Sequence, residues 1–233
     1  MAFYSSSKLS FYYRNKFDEE RRITLHHHVS KVVIFYIDYK TKLTGGITMI
    51  IDLTYSCKMG CSHCMSDCKP EGKNMSIQVL KDSLDFLKKY QIPTWYFSGG
   101  EIFEHPDILK ILEIIETEWM KESFRFPLAL ITNGRELVRN KKIYDYIYNL
   151  IKRHGKKYIY IQVTDDSRFY PDKLTEKERY WLSKIASVIE GVPGDPKDKN
   201  KCLYPQGRAL HNYSEKNWYT VGPKCINPIL MIK

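Results

Sequence analysis

No run of 18 consecutive apolar residues occurs in the 233-residue sequence, which speaks against a transmembrane helix. The opening residues, MAFYSSSKLSFYYRNK, mix aromatic and polar groups and lack the continuous apolar segment that a secretory signal needs. No internal repeat and no extended low-complexity tract is present, so repeat arrays are excluded. Cysteine is sparse over most of the chain. Of six, Cys57, Cys61, Cys64 and Cys68 fall within twelve residues, and Cys202 and Cys225 stand far away. A secreted disulfide scaffold would spread its cysteines through a shorter chain. A tight cluster without an export signal reads as metal binding in a reducing cytoplasm.

What is present suits a folded domain. Hydrophobic residues make up 43% of the chain, enough for a sizeable core. At about 150 residues per domain, the length fits one domain with appendages or two small ones. There are 37 Lys and Arg against 27 Asp and Glu, a net charge of +10. Alone, that would suggest an acidic partner such as nucleic acid. Its distribution weakens the inference. Residues 51–192 hold 22 basic and 20 acidic side chains, and the two flanks hold the remaining 15 and 7.

Residues 1–30 are polar and aromatic with no clear period, and include His26, His27 and His28. Adjacent histidines do not converge easily on one ion, so this reads as a solvated or locally packed stretch. Lys31–Ile37 is a β-branched and aromatic strand, Thr44-Gly45-Gly46 a turn, and Ile47–Leu53 a second strand running into the cysteines. Strands and helices then alternate. Ile77, Leu80, Leu84 and Leu87 mark one helical face. Thr94–Phe97 is a short strand. Pro106 suits the first turn of a helix bearing Ile108, Leu112, Ile115 and Trp119. The strand 127–131, a helix with Ile143, Ile147 and Leu150, and the strand 158–163 follow. Thr175 and Glu178 form a capping box ahead of Trp181, Ile185 and Val188. This alternation implies parallel βαβ units, in an open sheet or a partial or complete barrel. After Gly191 the pattern weakens into a turn-rich, charged connector.

The strongest chemical signal is Cys57-Lys-Met-Gly-Cys61-Ser-His-Cys64, a C-x3-C-x2-C array. Thiolates this close can ligate one iron–sulfur cluster from a single loop. Three ligands leave one iron of a four-iron cluster open to another molecule, by the logic that separates open from closed zinc sites. Two other readings stay open at this point. One is a structural zinc site completed by Cys68 or His63. The other is a four-cysteine electron-transfer cluster that uses Cys68.

On these residues the sequence resembles the radical SAM superfamily, whose signature is C-x3-C-x2-C. The resemblance covers roughly residues 47–210. It implies a [4Fe-4S] cluster on Cys57, Cys61 and Cys64, with S-adenosylmethionine chelating the open iron. One electron then cleaves the cofactor to methionine and a 5′-deoxyadenosyl radical. It also implies a reducing partner such as flavodoxin or ferredoxin. The family usually has an aromatic residue before the third cysteine; here His63 fills that place, which the resemblance puts beside the adenine. Ser98-Gly99-Gly100-Glu101 follows the next predicted strand, Gly99 standing 35 residues after Cys64. By itself Gly-Gly-Glu is most often a turn; in the family it binds the methionine amino group. Thr132-Asn133-Gly134 is similar to a T-N-G near the cofactor. Gln162-Val163-Thr164-Asp165-Asp166 is similar to a V-S-x-D pattern, with Thr164 and Asp166 in reach of ribose or substrate. The aspartates could equally cap the following loop. All four motifs end successive predicted strands, the edge that carries ligands in parallel α/β folds.

Pro205-Gln206-Gly207-Arg208-Ala209 is similar to the P-x-G-R-A segment of relatives with a SPASM or twitch extension, and Cys225 to the first cysteine of such an extension. Arg208 could pair with a carboxylate or lie on the surface. The expected organisation is an N-terminal extension and strand over 1–45, a partial (β/α) TIM-like barrel over 46–192, and an irregular segment over 193–233. The expected function is a radical S-adenosylmethionine enzyme that abstracts hydrogen from a peptide or protein, in the cytoplasm and without a membrane. The alternatives are a nucleotide or nucleic-acid substrate, suggested by the basic flanks, and a non-catalytic iron–sulfur or zinc module.

Overall fold

The computed structural model describes residues 8–14, 20–26, 33–36, 48–89, 95–122, 126–192, 203 and 206–218. The chain divides into two compact units, 1–31 and 32–233. In the first, β1 (Lys8–Arg14) pairs antiparallel with β2 (Glu20–His26), Lys8 opposite His26 and Arg14 opposite Glu20. This corrects the reading of 1–30 as a stretch without period. A hairpin pairs through backbone groups, which a side-chain period need not record. His27 and His28, like the Thr44–Gly46 turn, lie outside the described residues.

The second unit holds one six-stranded sheet. β3 (Val33–Tyr36) is antiparallel to β4 (Thr48–Thr54). From β4 onward all neighbours are parallel: β5 (Trp95–Gly99), β6 (Leu128–Thr132), β7 (Ile159–Thr164) and β8 (Val188–Glu190). The crossovers carry α1 (Ile77–Lys89), α2 (Ile108–Met120), α3 (Arg135–Arg139), α4 (Lys141–His154) and α5 (Glu176–Ile185); α6 (Gly207–Asn212) follows β8.

The strand order follows the chain without reversal, β3-β4-β5-β6-β7-β8. Right-handed crossovers in one direction place successive helices on one face of the sheet. A doubly wound sheet would reverse its order and cover both faces. The architecture is therefore a partial (β/α) TIM-like barrel, as expected, and the complete barrel falls, since β3 and β8 end the sheet unpaired with each other.

The alternation of side chains along each strand fixes the two faces. In β7, Ile159, Ile161 and Val163 are fully buried, and Tyr160, Gln162 and Thr164 are exposed or half-buried. The buried set joins Ile51, Leu53, Trp95, Phe97 and Leu130 against Leu80, Leu84, Ile111, Ile115, Trp119, Ile147 and Leu182 from the helices. The opposite face bears Asp52, Ser98, Gln162 and Thr164, a polar lining that a barrel interior needs if it is to take a polar ligand.

Two local expectations change and one holds. Pro106 precedes α2 rather than starting it, since Asp107 is the cap. The capping box of Thr175 and Glu178 is present. Val188 belongs to β8, because the chain leaves α5 at Ala186 and Ser187 N–H donates to Ile161 C=O at 2.8 Å.

Candidate functional site

The loop joining β4 to α1 carries Cys57, Cys61, Cys64 and Cys68 at the C-terminal edge of the parallel strands. It folds back along its own strand. Tyr55 N–H donates to Lys73 C=O (2.8 Å), Cys57 N–H to Lys69 C=O (3.0 Å) and Met75 N–H to Leu53 C=O (2.9 Å). The hydroxyls of Thr54 and Ser56 donate to Asn74 Oδ1 (2.6 Å) and Pro70 C=O (2.8 Å). The cysteines are thus carried on a bracket of backbone hydrogen bonds.

Cys57, Met59, Cys61, Cys68 and Tyr170 are buried together, with Tyr55, Cys64 and Phe169 packed against them. The four cysteines are free thiols. Burial pushes the Cys57 thiol up to about 11, and the charges of Glu101, Glu104 and Cys64 add to it. Burial, then the charges of Cys57 and Cys64, push Cys61 up to about 12. Hydrogen bonds from Cys68 hold Cys64 down at about 5, and the same contact raises Cys68. Three thiolates in one apolar pocket therefore repel one another unless a cation lies between them. A thiolate-bound metal group supplies that charge and displaces the protons. Among the described residues no three His, Cys, Asp or Glu side chains converge as one metal ion requires. A single zinc draws every sulfur to about 2.3 Å from one point, whereas a cluster takes its thiolates on separate irons. Three thiols on one loop are a donor set that an iron–sulfur cluster can use.

The turn after β5 is stitched to this loop. Gly100 N–H donates to Thr54 C=O (2.7 Å) and Glu101 N–H to Ser56 C=O (2.9 Å). Glycine is required here for proximity. A Cβ on Gly99 would meet Thr54 O at 2.2 Å, and one on Gly100 would meet Ser56 O at 2.3 Å. Gly99 also has φ 136°, outside the range of ordinary side chains. Ser98 stands opposite Asp52 in the β4–β5 register and is half-buried.

Glu101 has no exposed surface, and its carboxylate points into the protein. Oε1 accepts from Phe103 N–H (3.2 Å) and the Thr132 hydroxyl (2.6 Å), and Oε2 accepts from Asn133 N–H (2.7 Å). Burial raises its pKa to about 7 against the opposing pull of these donors. The side chain thereby ties the end of β5 to the end of β6. Thr132 in turn accepts from Gly134 N–H (2.9 Å), and Thr164 donates to Thr132 C=O (3.3 Å). The motif at the end of β7 therefore joins the same chain of bonds.

Asp166 serves its own loop. Burdened by an ion pair with Arg168 and accepting Val192 N–H (2.9 Å), its carboxyl is held down at about 2, the Arg168 hydrogen bond being the main cause. His63 is half-buried beside Phe169 and Tyr170, with ring centroids at 4.6 and 5.5 Å. Its Nδ1 is buried without a hydrogen-bond partner, and burial lowers the ring to about 4, so it stays neutral. A neutral ring with a spare nitrogen and an aromatic neighbour suits a flat heterocycle.

Sequence reasoning did not single out Phe169, Tyr170 or Arg135. Arg135 is buried, donates to Asn133 C=O (2.6 Å) and Asp165 (2.6 Å), and lies over the Tyr170 ring at 5.1 Å. Its place directly after Asn133-Gly134 was the available signal. Arg208, left between a carboxylate partner and the surface, is half-buried and faces Asp67 Oδ1 at 3.5 Å. Pro205, Cys202 and Cys225 lie outside the described residues.

Comparison with known proteins agrees with this geometry. The family described as Radical SAM superfamily matches residues 51–188, more than half of the chain. The chain is also 31% identical over 109 residues to the antilisterial bacteriocin subtilosin biosynthesis protein AlbA of Bacillus subtilis (strain 168). That alignment covers 46% of this chain and 22% of the relative, so the chain spans only part of that protein's length. No helix among the described residues is long and apolar enough to cross a membrane. With its C-x3-C-x2-C loop bonded to a Gly-Gly-Glu turn at the C-terminal edge of a partial barrel, the chain belongs to the radical SAM superfamily.

Proposed function

We propose that this chain binds a [4Fe-4S] cluster through Cys57, Cys61 and Cys64 and S-adenosylmethionine beside it, and acts on a peptide or protein. The observation that carries this reading is the bonding of the Gly99–Glu101 turn to the cysteine loop. It brings a three-thiolate pocket and a glycine-lined cofactor edge into one frame. When bound, the cluster and S-adenosylmethionine supply one-electron cleavage to methionine and a carbon radical that removes hydrogen from a C–H bond. The electron comes from a reducing partner of the flavodoxin or ferredoxin kind.

The chain's own residues bind, orient and shield. Gly99 and Gly100 let the turn approach closely enough for backbone groups and Ser98 to meet the methionine end. Glu101 holds the Thr132-Asn133 turn against it from behind, which makes it a positioning residue. His63, with Phe169 and Tyr170, receives the adenine. Thr164 borders the ribose and substrate side, and Asp166 braces the neighbouring loop through Arg168 and the Val192 N–H. Holding the reactive carbon against its target and excluding water is the protein's share of the rate.

A peptide substrate is supported by the segment around Gly207-Arg208 and by a relative whose name assigns it to bacteriocin biosynthesis. The test needs no knowledge of the substrate. After anaerobic reconstitution and reduction, the chain is expected to release 5′-deoxyadenosine from S-adenosylmethionine, and Cys61→Ala to release none. Stoichiometric zinc with no cleavage would overturn the reading in favour of a non-catalytic module.

A further inference from the structure

α6 lies beyond the residues that match the family, yet it is seated on the cysteine loop. Gly207 opens the helix with φ 52°, and a Cβ there would meet Met65 O at 2.4 Å and Cys64 O at 2.5 Å. Only glycine permits this approach. Arg208 N–H donates to Cys64 C=O at 2.9 Å. Its Nη2 donates to Cys68 C=O at 2.9 Å. Its Nε is buried without a hydrogen bond and faces Asp67 Oδ1 at 3.5 Å. At the far end of the helix, Asn212 Nδ2 donates to Ser62 C=O at 2.9 Å, and the Tyr213 hydroxyl pairs with that of Ser62. Cys68 N–H donates to Cys64 Sγ at 3.3 Å.

One cysteine of the three is thus singled out. The Cys64 sulfur receives the Cys68 N–H and its carbonyl the backbone N–H of Arg208, whose positively charged guanidinium sits on the Cys68 carbonyl of the same turn. We infer that Arg208 is a positioning residue that fixes the Cys64 corner of the iron–sulfur site and makes the bound cluster easier to reduce. This rests on the cluster reading of the loop. Reduction adds one negative charge to the cluster. A permanent cation on the ligand turn stabilises the reduced form, and hydrogen bonds to sulfur such as that from Cys68 N–H shift the potential the same way. Arginine suits this place better than lysine because its planar fork serves several acceptors at once and does not lose its proton.

The test uses the full reconstituted chain and two variants, Arg208→Met and Arg208→Lys. Iron and sulfide per chain are measured first, and the midpoint potential is then read by EPR at poised potentials. Arg208→Met is expected to keep its iron. At the wild-type midpoint its ratio of reduced to oxidised cluster should fall about tenfold, which is about 59 mV for one electron. Arg208→Lys is expected to fall between the two. An unchanged midpoint in iron-loaded Arg208→Met overturns the inference. If Arg208→Met loses iron, Arg208→Lys decides: a midpoint below that of the wild type supports the role, and a wild-type one overturns it. Failure of the wild-type chain to take up a four-iron cluster is a separate outcome, which overturns the cluster reading itself.

Discussion

Gly60 and Gly99 both have positive φ, at 66° and 136°, but for different reasons. A Cβ on Gly60 meets nothing within 4 Å, whereas one on Gly99 falls 2.2 Å from Thr54 O. Gly60→Ala is therefore expected to cost only the left-handed conformation, roughly 1–2 kcal/mol, with cofactor cleavage nearly unchanged. Gly99→Ala must also push the β5 turn away from the cysteine loop. Its expected outcome is a loss of 5′-deoxyadenosine formation of about a hundredfold, with iron content retained. Urea unfolding and product assays on both variants check this. Glu101 allows a pH test. Its carboxyl is raised from the ordinary 4.5 to about 7 by burial. Between those values the native state keeps a proton that the unfolded chain has given up, so this group's contribution to stability falls as pH rises. Glu101→Gln is expected to flatten stability between pH 4.5 and 7, and also to lower it overall, because Asn133 N–H loses its acceptor. The cysteine spacing and the Gly-Gly-Glu triplet were legible in the sequence. The inward turn of the Glu101 carboxylate was not, since two of its three donors, Thr132 and Asn133, lie at the end of β6, about thirty residues on.

At the scale of elements, the long periodic segments and the capping box of α5 were legible. The box is worth testing because it is bound twice over. Glu178 accepts from Thr175 N–H (2.7 Å) and also pairs with Arg139 at 2.6 Å, and these contacts hold its carboxyl down at about 2. Thr175→Ala is expected to cost about 1 kcal/mol, read as a lower urea midpoint. Because the folded Glu178 titrates below its unfolded value, its contribution is present above about pH 4.5 and is lost as pH falls toward 2. Glu178→Gln is expected to remove that part of the acid transition. Short elements escaped the sequence reading. β8 has three residues and α3 five, too few for any period to emerge. β8 exists because its backbone finds β7, and α6 because Gly207 lets it settle on the cysteine loop.

At the scale of the whole molecule, the charge bears on the partner. The net +10 sits mainly in the flanks, outside the near-neutral core that carries the site. If the substrate is a peptide, its binding is expected to change little between 50 and 200 mM salt. A nucleic-acid substrate would instead lose affinity steeply, about tenfold or more over that range; isothermal titration at both salt concentrations separates them. The sequence by itself determined which chemistry this chain can carry. C-x3-C-x2-C is a local pattern, and its thiols lie on one short loop, so their joint availability follows from covalent spacing. It also determined the strand–helix alternation, because burying one face of each element imposes a period on the residues. Tertiary structure alone decided how the strands are ordered, and with that the partial barrel. It alone decided which backbone groups press against the cysteine loop, and that Arg208, 144 positions beyond Cys64, donates its backbone N–H to the Cys64 carbonyl. Such contacts join residues distant in the chain, and their energies depend on distances that no local pattern encodes.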